Sequence, residues 1–128
     1  MTSPTPDPSE LAGLLARVEQ GTADQQWALI RDTAKMLLDI DDLARSRVNQ
    51  LTDAGGHLDA ALALVERVLP GWAWELTRWT GGGYTTSISQ YNPGDEEFRG
   101  QGPTPALALL SALLKALSAS VGSGEEAS

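Results

Sequence analysis

The stretch that narrows the fold most lies between residues 57 and 117. Trp72, Trp74 and Leu76 alternate with Ala73, Glu75 and Thr77. Beyond Thr80–Gly83, Tyr84, Thr86 and Ile88 alternate with Thr85, Ser87 and Ser89. A period of two on both sides of a glycine turn predicts an antiparallel hairpin, since glycine admits the positive φ of a tight turn. An isolated hairpin is marginal in water, so this one must pack on helices. Leu58, Ala61, Leu62, Val65 and Leu69 give an apolar stripe that starts near His57 and stops at Pro70-Gly71. Thr104 as cap and Pro105 in the first position open a later helix carrying Leu107, Leu109, Leu110, Leu113, Leu114 and Leu117. Leucines on more than one face imply burial between layers or a second contact surface. Whether Glu96 to Arg99 adds a third strand is open; Phe98 between charges fits an edge strand.

Two helices are expected ahead of this core. Asp7 can cap the first, with Pro8 in the first position and Glu10 completing a capping box; Leu11, Leu14, Leu15 and Val18 share a face, and Gly21 stops it. Thr22 and Gln25 repeat the box spacing. The series Trp27, Ile30, Ala34, Leu37, Leu38, Ala44, Val48 and Leu51 then reads as one long helix with a kink, a break near Asp39 to Asp42 being the alternative, because at Asp41 a carboxylate interrupts the apolar stripe. Helical spacing of Asp41 with Arg45, and of Asp32 with Lys35, favours continuity. The organisation expected is a disordered tail over 1–6, a helical pair over 7–56, a helix, hairpin and helix core over 57–117, and a second disordered tail over 118–128.

The wording LDAALALVERVLPGW (58–72) and GQGPTPALALLSALLKAL (100–117) resembles the small bacteriophage and prophage proteins of the phage ABA sandwich domain family. The likeness extends over about half of the chain. Where that family carries a small hydroxyl residue ahead of LDAAL, this chain has His57. The resemblance implies an α/β/α sandwich, and no settled activity comes with it. Together with the local pattern it gives an α+β fold of order α-α-α-β-β-(β)-α, with a small antiparallel sheet between helices.

Composition removes several function classes. The chain of 128 residues carries a formal charge of −8 with no basic stripe, so nucleic-acid binding is not expected. It has no cysteine and one histidine, His57, which leaves neither a disulfide framework nor a zinc ligand set; no metal or cofactor is expected. No segment has the apolar length of a membrane span, and the expected location is the cytoplasm of a host bacterium. Serines have only His57 to activate them, and neighbouring carboxylates such as Asp41-Asp42 are usually just solvated, so the chain reads as a non-enzyme.

Two candidate sites remain. Arg99, Gly100, Gly102 and Thr104 lead into a helix N-terminus, where free N–H groups, a favourable dipole and a nearby cation suit an anion; Pro103 and a missing lysine separate the segment from a P-loop. Of the aromatic set Trp72, Trp74, Trp79, Tyr84 and Tyr91, the first two read as core, while Trp79 and Tyr84 flank the turn and could stack a ligand ring. The acids Asp95, Glu96 and Glu97 form a face that would meet a basic partner. The leading expectation is a non-enzymatic phage or prophage protein that inhibits a host protein, such as a defence complex, by direct binding. The alternatives are a sponge for an anionic nucleotide at Arg99, Gly100, Gly102 and Thr104 with Trp79 or Tyr84 stacking on its ring, and an assembly accessory that homodimerises through surplus leucines of the helices over 22–51 and 104–117.

Overall fold

The computed structural model describes residues 7–89 and 97–127, with side chains through Ala119; the expected 1–6 tail, Tyr91, Asp95 and Glu96 lie outside the described residues. The fold is α+β. Its elements run α1 (Pro8–Glu19), a 3-10 turn (Ala23–Gln25), α2 (Gln26–Leu37), α3 (Asp42–Asp53), α4 (His57–Val68), β1 (Ala73–Arg78), β2 (Tyr84–Ser89), β3 (Glu97–Gly102) and α5 (Pro105–Ala127). The strands form one antiparallel sheet in the order β1-β2-β3.

Local chemistry accounts for most of the boundaries. Asp7 caps α1 by accepting from the Ser9 N–H at 2.9 Å, and Gln25 Oε1 accepts from the Thr22 N–H at 3.0 Å. Helix α4 has Gly56 at its N-cap and therefore no side-chain cap, His57 being already its first helical residue. Thr104 Oγ1 accepts from the Leu107 N–H at 3.2 Å and opens α5.

The long helix expected over residues 22–51 is instead two helices. Asp41 is the reason: its Oδ1 accepts from the Ala44 N–H at 3.1 Å, making it the N-cap of α3, while Oδ2 takes Arg67 of α4 at 2.5 Å. The expected side-chain pairs are also redistributed. Asp32 pairs with Arg17 at 2.6 Å, and Arg45 pairs with Asp42 at 2.6 Å. At the other end, the 118–128 segment expected as a disordered tail continues α5 as helix to Ala127. No proline interrupts it, and extending an established helix needs one bond per residue fixed.

The sheet does not sit between helices. Partners across the ladders place Trp74, Ile88 and Phe98 on one face with Leu76, Thr86 and Gly100; that face meets α5. The opposite face presents Glu75, Thr77, Ser87, Arg99 and Gln101, and no helix packs over it among the described residues. Hydroxyl and charged side chains at every second position suit water rather than a second helical layer. The layers therefore run sheet, α5, then α1, α2 and α4, with α3 outermost on α2 and α4. Being central explains the leucines of α5. Leu107, Leu109, Leu110, Leu113 and Leu114 are all buried, each contributing about 1.5–3 kcal/mol by leaving water.

Helix α5 lies unusually close to β3 because the strand supplies no side chains where they meet. A Cβ on Gly100 would stand 2.7 Å from the Ser111 Cβ and closer still to the Ala108 carbonyl and Ala112 nitrogen; one on Gly102 would be 2.9 Å from the Ala108 nitrogen. Glycine is the residue that permits such backbone approach. The helix reciprocates with the small residues Ala108, Ser111 and Ala112.

Candidate partner-binding surfaces

The proposed anion site is not assembled as a pocket. Gly100 and Gly102 belong to β3, paired with Thr86 and Tyr84, and face α5. Thr104 already caps the Leu107 N–H, so the helix start is partly satisfied by its own chain. Arg99 points to the outer face, where its Nε lies 3.5 Å from Glu97 Oε1. Trp79 is also associated with the outer face, its indole N–H donating to Thr85 Oγ1 at 2.5 Å. Tyr84 is on the inner face. Thus Trp79, Glu97 and Arg99 share one side of the sheet, and Tyr84, Gly100 and Gly102 the other. Of the acidic set, Glu97 is exposed beside Arg99; its two neighbours fall outside the described residues.

The aromatic expectations divide. Trp72 joins the core, its ring centroid 6.2 Å from that of Phe98. Trp74, read as core from the sequence, is 45% exposed, because α5 lies over β2 and β3 and does not reach across β1.

A different surface emerges at the corner between α2 and α3. Ile40 is 64% and Leu43 87% exposed, while their neighbour Leu38 is buried. They stand at an open groove of ≈ 1410 Å³ between α1, this corner and α4, with Leu14, Met36, Leu37 and Val68 among its lining. Five carboxylates (Glu10, Asp32, Asp39, Asp41, Asp42) line it against three cations (Arg17, Lys35, Arg67). Arg17 is held by Asp32 and Arg67 by Asp41, whereas Glu10 and Asp39 form no ion pair among the described residues. The groove thus combines apolar lips with a negative balance.

Asp41 fixes the shape of that corner. The Ala44 N–H and then the Arg67 guanidinium stabilise its charged form and hold its carboxyl below the usual carboxylate range, against a smaller opposing effect of burial. Arg45 adds a hydrogen bond to the Asp39 carbonyl at 2.8 Å, tying the connecting turn to α3. Sequence reasoning missed Ile40 and Leu43 as binding residues. The available signal was that both fall outside the apolar series on which the helices were built.

Of the leucine seam expected on the helices over 22–51 and 104–117, the leucines of the second from Leu107 to Leu114 are buried within one chain, whereas Leu43 of the first is exposed. Among the described residues no group of three or more His, Asp or Glu side chains is placed to hold a metal ion, and no helix is long and apolar enough to cross a membrane. Comparison of the chain with protein-family models, curated proteins and solved structures finds no match.

Proposed function

We propose that this chain is a non-enzymatic binding protein that docks a partner protein at the α2–α3 corner. The observation that carries the reading is the pair Ile40 and Leu43, two large apolar side chains in water at the mouth of an acidic groove. Adjacent apolar side chains exposed at a groove mark contact sites more often than a scattered surface leucine does. The complementary partner presents a segment with apolar anchors and lysine or arginine beside them. What supports a phage or prophage setting, with a host protein as the target, is the wording of residues 58–72 and 100–117. The sponge reading loses ground because five of its six residues divide between two faces of the sheet and the sixth, Thr104, caps α5.

The test is gentle purification of the tagged chain from a bacterial host, followed by native mass spectrometry. Wild type is expected to carry an additional polypeptide that Ile40→Ser with Leu43→Ser releases while the melting temperature stays unchanged. Capture that survives both substitutions, or a chain with no partner in any host tried, contradicts the reading.

A further inference from the structure

Strand β1 is an edge whose hydrogen-bonding phase can be read. The Trp79 N–H donates to the Gly83 carbonyl at 3.0 Å, so the paired residues Thr77, Glu75 and Ala73 turn their N–H and C=O groups toward β2. Trp74, Leu76 and Arg78 consequently turn theirs outward. Among the described residues no backbone or side-chain group bonds to that outward row. The side chains of the same three residues lie on the inner face of the sheet, beyond the reach of α5, with Trp74 exposed and Leu76 half-buried. The strand has no proline, so none of its outward donors is removed.

We infer that a second copy of this chain adds its own β1 here, antiparallel, about a twofold axis at Leu76. Keeping the inner faces of both sheets on one side requires the axis to pass through a residue, not between two. Centred on Glu75, the pairing would set two carboxylates directly opposite each other, which is unfavourable. Centred on Thr77, it would leave Trp74 without an inner-face partner. Centred on Leu76, it sets Leu76 against Leu76 and places Trp74 of each copy opposite Arg78 of the other, a cation facing an indole; on the outer face Glu75 meets Thr77. All outward N–H and C=O groups of Trp74, Leu76 and Arg78 then find partners. The recess beside Trp74, lined by Leu62, Leu69 and Trp72, lies next to this seam and can take the stem of the incoming Arg78. This self-complementarity selects a second copy over an unrelated strand.

Sedimentation equilibrium of the full chain over a range of concentrations is the test, with Leu76→Lys as the variant because it sets two ammonium groups against each other on the axis. Wild type is expected to form a dimer whose dissociation constant rises about tenfold or more in Leu76→Lys. In parallel, the Leu76 and Arg78 amides of wild type should exchange more slowly with solvent as concentration rises, a readout that does not depend on the variant folding. A wild-type monomer at millimolar concentration, a dimer indifferent to Leu76→Lys in a folded variant, or edge amides whose exchange ignores concentration would each overturn the assignment.

Discussion

Strands β1 and β3 are the two edges of one sheet, and they are finished in opposite ways. β3 meets α5 through Gly100 and Gly102, and its Arg99 carbonyl accepts from Lys115 Nζ at 2.8 Å, with Glu19 of α1 3.5 Å from the same ammonium. β1 carries Trp74, Leu76 and Arg78, and among the described residues no helix is drawn over it. The closed edge gives up side chains so that a helix can come close; the open edge keeps large ones. Closeness serves stability, and the exposed bulk is what the proposed dimer contact would use.

The sharpest way to break the closed edge is to give it a side chain. Gly100→Val should cost more than about 3 kcal/mol, above the common overpacking range, because the obstacle is helix backbone and not a movable side chain. Gly81→Ala, in the turn that leads away from β1, meets open space and should change stability by less than about 0.5 kcal/mol. Urea denaturation of the two variants measures the contrast directly. Core truncation extends it: Leu113→Ala should cost about 2–5 kcal/mol, whereas Leu43→Ala at the exposed corner should leave stability within about 0.5 kcal/mol and act on partner capture alone.

Smaller effects sharpen the picture. Thr86 and Ser111 are buried, and neither hydroxyl has a hydrogen-bond partner; Thr86 pairs with Gly100, and Ser111 stands over that glycine. Replacing such a hydroxyl with an apolar group of the same shape removes a desolvation cost, so Thr86→Val should be neutral or stabilising by about 1 kcal/mol in thermal unfolding. At the corner, the depressed pKa of Asp41 means that its contribution is present at neutral pH and disappears as pH falls through the folded-state value. Asp41→Asn, which retains a capping oxygen, should flatten that part of the acid-denaturation profile. An unchanged profile would show that the carboxylate charge is unimportant there.

Much of the fold was legible because its signals are local. Alternation around Gly81–Gly83 marked the hairpin, Thr104-Pro105 marked the start of α5, and its many-sided leucines marked a helix buried between layers. The layer order was also written in Thr85, Ser87 and Ser89, whose hydroxyls argue against a second helical cover; the expectation of a sheet between helices did not draw on them. Asp41 could be read as a kink or a break, and the decisive partner, Arg67, is 26 residues away in sequence. Gly100 and Gly102 have the composition of a phosphate loop. Only the path of α5 shows that they accommodate a helix. Surface function was the least legible, since exposure of Ile40, Leu43 and Trp74 depends on which neighbours fail to cover them.

The central contrast is tested most directly by amide hydrogen exchange in dilute solution, comparing Glu75 and Thr77 of β1 with Phe98 and Gly100 of β3. All four residues pair with β2, so a difference between the strands reports the cover and not the pairing. Exchange of the β3 amides only through global unfolding, with the β1 amides released by a smaller local opening, is the predicted result. Equal protection of the two strands would contradict the account.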